Sequence, residues 1–254
     1  MYKPLDIALI SIFAGLMYIF TLLPGIPIVG GRGKIEIAVS LTPIYGILLG
    51  PWRGGLATLL GFLIAVISPP GTPNIFSALM IISPTTSTII SGLIVGKKFL
   101  KIEGWVFASI IQAFLILLWY LNDIGINAPL YPIIHISALI LLIFFNSRLK
   151  RYLDSNIFIK RFTSIFITSL NGILSDHMSG NLIFIHSIGL FISLKTISKW
   201  LKALGLPNIS SLFMYMLPIS IIERISLTIL ATTIGLPIYL TLHKTKYWKT
   251  IRSQ

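Results

Sequence analysis

Apolar residues fill stretches of about twenty positions along this chain, and charged residues collect in the gaps between them. A bilayer core about 30 Å thick needs about 20 apolar residues per spanning helix, and the runs at 5–24, 75–96, 104–121 and 129–146 meet that length. Backbone amides in lipid must find partners inside the chain, which leaves helices or closed barrels. The runs show no strict alternation, so the pattern predicts an all-α, polytopic transmembrane helical bundle. Further apolar segments lie at 37–50, 54–69, from 162 to about 194, and at 212–241. Six to eight spans result, in a single integral membrane domain, 1–254, with 104–161 as a candidate extra hairpin. The segment from 162 reads as a span interrupted by SDHMSGN at 175–181. In KTISKWLK at 195–202 the lysines recur at i, i+4 and i+7, giving either a short interfacial helix on the outer surface or a solvated loop.

Composition narrows the function classes. With 55% hydrophobic and 11% charged residues, no polar segment is long enough for a soluble catalytic domain. The stretch GLIVGKK at 92–98 departs from a phosphate-binding loop in both its glycine spacing and its final residue, and reads as a helix end. No cysteine is present, which removes disulfides, thiolate nucleophiles and cysteine metal sites. No cleavage site with a soluble mature domain follows the first run, so 5–24 reads as a retained span.

The net charge of +13 resembles that of a nucleic-acid binder, but its placement argues for a membrane. Lys97, Lys98 and Lys101, then Arg148, Lys150 and Arg151, then Lys160 and Arg161, then Lys244, Lys246, Lys249 and Arg252 all sit at span ends. Basic clusters of this kind mark cytoplasmic loops beside anionic lipid. Threading the chain accordingly puts both termini in the cytoplasm of a multi-pass plasma-membrane protein.

Ionisable groups at membrane depth are costly and tend to mark cavities. The densest set is Asn171, Asp176, His177 and Asn181, where a break beside Gly180 would also free backbone groups; the other reading is an external loop between two shorter spans. Glu223 and Arg224 form a second set on the last span. Adjacent positions point about 100° apart, which favours two separate partners over a mutual bridge. Arg32 and Lys34, in RGKIE at 32–36, lie in a Gly-flanked external loop that reads as a lid or as a plain turn. Trp119 and Tyr120 read as interfacial anchors and His135 as a core histidine.

The first hundred residues carry a further pattern. IALISIFAGLMY at 7–18 precedes a Pro- and Gly-rich loop, LPGIPIVGG at 23–31, and then LTPIYGILLGPWRGG at 41–55, with Ala57 and Gly61 beyond it. Together with SGLIVGK at 91–97 and the Leu-Pro pairs at 217–218 and 236–237, this resembles the substrate-binding S component of energy-coupling factor transporters. The resemblance covers the first hundred residues well and the last forty loosely. S components usually have six spans, and their small-residue pair on span one is usually Ala-x-x-x-Ala, where this chain has Ser11 and Gly15. The resemblance implies a capture protein without catalysis or cofactor. It would bind a vitamin or similar small molecule from outside and dock on a transmembrane coupling subunit driven by two ATPase subunits. Small residues at Ser11, Gly15, Gly50 and Gly54 would let a partner's helices approach, or else pack within this chain. The metal-uptake branch carries an N-terminal His motif, absent from MYKPLD at 1–6.

Two other classes compete. An intramembrane enzyme on a lipid or prenyl substrate would use Asp176 and His177 as acid and base, but the chain has only seven carboxylates and no Asp-rich metal motif. A stand-alone secondary transporter would show two related halves, and none is evident.

Overall fold

The computed structural model describes residues 4–27, 34–96, 98 and 101–245. Helix α1 (Pro4–Thr21) leads into a minimal antiparallel ladder, β1 (Ile26–Pro27) with β2 (Lys34–Ile35), which pairs Ile26 with Ile35 and Pro27 with Lys34. The remaining described elements are helical: α2 (Ile37–Leu49), α3 (Pro51–Ile67), α4 (Ile75–Met80), α5 (Ile82–Val95), α6 (Gly104–Tyr120) and α7 (Asp123–Ile126). After them come α8 (Ile133–Phe145), α9 (Arg148–Leu153), α10 (Phe158–Ser187), α11 (Leu194–Leu204) and α12 (Ile209–His243). Among the described residues, three helical stretches are long and apolar enough to cross a membrane, namely α1, the α4–α5 stretch and α12. At 35 residues, α12 runs roughly 52 Å at 1.5 Å per residue, longer than a bilayer core of ~30 Å.

The interior and exterior are polarised in an unusual sense. Ser40, Thr42, Thr58, Ser87, Thr88 and Ser91 are fully buried, while Ile12, Ile110, Phe114, Ile140, Phe144 and Ile222 are each more than half exposed. Buried hydroxyls survive because they bond across helices. Thr42 Oγ1 donates to Ser87 Oγ at 2.7 Å, and Thr58 and Thr88 hydroxyls meet at 2.9 Å. Close helix approach supports these bonds. A methyl group on Gly46 would strike the Thr88 carbonyl, and one on Gly92 would strike the Pro51 nitrogen. Gly54 likewise lies under Tyr45 O and Thr88 Cγ2 of its own chain, at 2.7 and 3.0 Å from where a Cβ would stand. Gly50 makes the reversal between α2 and α3, with φ of 80°. Both glycines therefore serve this chain's own packing. Ser11 is exposed and Gly15 half-buried on α1, with open space over Gly15.

α10 sits at the centre, packed against α2, α5, α6, α8, α9 and α12. Its path corrects the sequence reading, since SDHMSGN at 175–181 does not interrupt it: the helix is continuous for 30 residues. Ser175 and Ser179 hydroxyls bond back to the carbonyls of Asn171 and Ser175, both at 2.8 Å, so these polar side chains satisfy themselves without unwinding the backbone. Gly180 serves helix approach instead, since a Cβ there would stand 3.0 Å from Ser83 Oγ on α5. The run at 75–96, by contrast, is not one straight helix but breaks at Ile81 between α4 and α5. Pro84 has no amide hydrogen to offer the Met80 carbonyl, which explains the break. α3 begins earlier than the apolar segment at 54–69, because Pro51 opens it as its first residue. Trp119 is fully buried and stacked on Tyr131 at 4.8 Å, which corrects its reading as an interfacial anchor.

α11 forms over the lysine-bearing segment. Ser193 caps it by accepting from the Thr196 amide, and Gly205 ends it in the left-handed region at φ 66°. Lys195, Lys199 and Lys202 are exposed, Ile197 is buried, and Trp200 stacks on Phe184 of α10 at 6.5 Å between ring centroids.

Candidate functional site

A cavity of about 690 Å³ opens where the C-terminal ends of α1 and α3 meet the start of α2. Thr21, Leu22, Pro70, Gly71 and Thr72 line its mouth, with Glu36 at the N-cap of α2. Its inner surface is built by α4–α5, α10 and α12, which supply Met80, Ser83, Asp176, His177, Asn181, Glu223 and Arg224. Phe62, Phe76 and Phe184 contribute aromatic walls.

Two sets that lie far apart in sequence converge here. Arg224 Nη1 lies 3.5 Å from Asp176 Oδ2, and its Nη2 lies 3.2 Å from Glu223 Oε1. The adjacent pair therefore does bridge, against the expectation of separate partners. Arg224 reaches both carboxylates at once because the guanidinium is wide and carries donors on each side. Asp176 is further held by Ser83, whose hydroxyl is within 2.5 Å of Oδ1 and 2.6 Å of the Asp176 carbonyl. All of these side chains are nearly buried, with Arg224 14% exposed and Asp176 8%.

His177 continues the polar surface inward. Its Nε2 lies 3.1 Å from Tyr131 Oη, and its Nδ1 lies 3.2 Å from His135 Nε2. Asn181 Nδ2 donates to Tyr131 Oη at 3.0 Å. Tyr131 Oη accepts from Asn181, and the Tyr131–His177 and His177–His135 contacts run in either direction according to the histidine tautomers. Together these contacts hold the His177 ring at the cavity wall.

Of the residues singled out from sequence, Asp176, His177, Asn181, Glu223 and Arg224 line this one cavity. Asn171 does not, which corrects its place in the set. It is fully buried below the cavity, its Nδ2 bonded to Ile167 O at 2.8 Å and its carbonyl accepting from Gln112 Nε2 at 3.1 Å. It lies nearer the N-terminal end of α10, where the helix packs against α6 and Gln112 reaches its carbonyl. Arg32 lies outside the described residues, and Lys34 is placed only as a backbone position in β2. Tyr131, Ser83 and the three phenylalanines escaped the sequence reading. A lone Tyr or Ser in an apolar run has no local signal, and only the pairing with α10 shows its role.

Tyr131→Phe should cost about 1–3 kcal/mol of stability, since it strips a partner from both His177 and Asn181 in a buried site. Tyr120→Phe is the control: its hydroxyl bonds the Pro129 carbonyl at 2.8 Å in an exposed position. Thermal unfolding of the purified variants in detergent checks the difference, and equal stabilities would show that the buried relay carries no net energy.

The fold and cavity define an all-helical protein with a polar, ion-paired pocket inside an apolar-coated bundle. No family model matches the chain. It is similar to an uncharacterized protein of Methanocaldococcus jannaschii, with 29% identity over 167 residues, which is 66% of this chain. The chain spans about half of that relative's length, 54% of it being covered. No solved structure matches.

Proposed function

We propose that this chain is a multi-pass integral membrane protein of six to eight spans, with both termini in the cytoplasm, that captures a small molecule from outside the cell. In this reading it is the substrate-binding S component of an energy-coupling factor type transporter, takes a vitamin-like ligand, and docks on a transmembrane coupling subunit with two ATPase subunits. The observation that carries the capture reading is the cavity: about 690 Å³, open at one end, with an ion-paired Asp176–Arg224–Glu223 surface among apolar helices. Pockets of this size bury most of a small ligand. The exposed isoleucines and phenylalanines on α1, α6, α8 and α12 suit lipid contact, since a soluble monomer rarely carries such continuous apolar surface. The open face around Ser11 and Gly15 supports docking there, because small side chains permit close helix contact in lipid.

The test is mass spectrometry of small molecules released from the detergent-purified chain. A stoichiometric ligand, lost when the cavity is blocked by Ser83→Trp, is the expected result; a preparation that never retains or binds a small molecule sinks the capture reading. Docking is tested separately. Gly15→Leu should weaken co-purification with the coupling subunit at least tenfold (about 1.4 kcal/mol) without altering ligand binding. Unchanged co-purification removes α1 from the docking surface.

A further inference from the structure

The charge that the described residues bring to the cavity is unbalanced. Among the described residues that line it, the carboxylates are Glu36, Asp176 and Glu223, and the single cation is Arg224. Arg224 is already engaged by Asp176 and Glu223. Glu36 forms no ion pair with a described residue and stands at the mouth. Asp176 and Glu223 are nearly buried while Glu36 is exposed, and a carboxylate surplus around a partly buried pocket favours the arrival of a positive charge. Phe62, Phe76 and Phe184 line the cavity, and aromatic rings attract cations through their negative quadrupole and pack against flat rings. Cavity size, aromatic wall and sign of charge are three separate observations, and they agree.

We propose that the cavity selects a cationic ligand: a small aromatic or heteroaromatic molecule bearing an ammonium, amidinium or quaternary nitrogen. The proposal rests on the capture reading and specifies its substrate class. Glu36 and the Oε2 oxygen of Glu223, whose Oε1 is held by Arg224, receive the positive nitrogen, while Asn181, His177 and the phenylalanines line the same cavity around the ring. Asp176 is a positioning residue, held by Ser83 and Arg224 and so not free to pair with ligand. An anion would meet surplus carboxylate and a guanidinium whose two terminal nitrogens are already paired.

The experiment uses the full-length chain in detergent and the small-molecule fraction of yeast extract, divided into cation-exchange-retained, anion-exchange-retained and unretained pools. Each pool is dialysed against the protein, and the bound compound is identified by mass spectrometry. The expected donor is the cation-exchange pool. For the compound it supplies, Glu36→Gln and Glu223→Gln should each lower affinity roughly ten- to hundredfold, the range for losing one charge-assisted contact. These replacements keep side-chain shape, and thermal unfolding verifies that each variant is folded. A ligand drawn from the anionic or unretained pool overturns the charge selection while leaving capture intact. Binding from no pool overturns capture itself. A cation whose affinity is unchanged in both folded variants also overturns the proposal, since it binds without the carboxylates.

Discussion

Arg224→Ala is expected to destabilise the protein by about 3–5 kcal/mol, the cost of breaking a buried ion pair by removing one partner. The guanidinium holds Asp176 at 3.5 Å and Glu223 at 3.2 Å, and its loss leaves two nearly buried carboxylates without their shared counter-charge. Ser83 alone would remain on Asp176. At roughly 2–4 °C per kcal/mol for a chain of this size, Tm should fall by about 6–20 °C. Adding Asp176→Asn and Glu223→Gln to the Arg224 variant should restore much of the loss, because the uncompensated charges are then gone. Lys98→Ala supplies the contrast. Lys98 pairs with Glu103 at 3.4 Å but is 62% exposed, and such surface pairs contribute about 0–1 kcal/mol. Similar Tm values for Arg224→Ala and Lys98→Ala would mean that water in the cavity solvates the carboxylates as well as Arg224 does.

Glycines that look alike in sequence should respond with opposite signs. Gly92→Ala places a methyl group on the backbone of Gly50 and Pro51, within 2.7 Å of Gly50 C, where no side chain can rotate away. Overpacking of this kind costs about 1–3 kcal/mol or more, since α5 must move off the α2–α3 junction. Gly15→Ala meets nothing within 4 Å and replaces a poor helix former by the best one, so it should stabilise α1 by about 0.5–1 kcal/mol. Thermal unfolding of the two variants in detergent compares them directly. A loss at Gly15, or none at Gly92, would contradict the packing described for these helices.

The helix boundaries were largely legible in the sequence, and for physical reasons. Apolar runs, Pro51 at a helix start, Asn74 and Asn208 as N-caps and Gly205 as a C-cap are local signals that act within a turn of the chain. The polar stretch at 175–181 misled because composition cannot tell a solvated loop from a buried polar stripe. The difference lies in what faces it: Ser83 from α5, Tyr131 and His135 from the chain leading into and through α8, and Arg224 from α12. The glycine at 54 left two readings open in sequence, since a small residue permits close approach without saying which helix approaches; the structure shows α2 and α5 of this chain against it.

Sequence by itself determined the helical, apolar character of this protein, because periodicity, hydropathy and capping depend on near neighbours along the chain. It also identified Asp176, His177, Asn181, Glu223 and Arg224 as unusual, because a charge or imidazole in an apolar run is costly wherever it ends up. Only the tertiary structure decided that these residues share one cavity, that Asn171 stands outside it, and that Arg224 bridges two carboxylates 48 and 1 positions away. Those facts depend on how α5, α10 and α12 pack, and packing is set by side chains distant in sequence that meet only once the helices are in place.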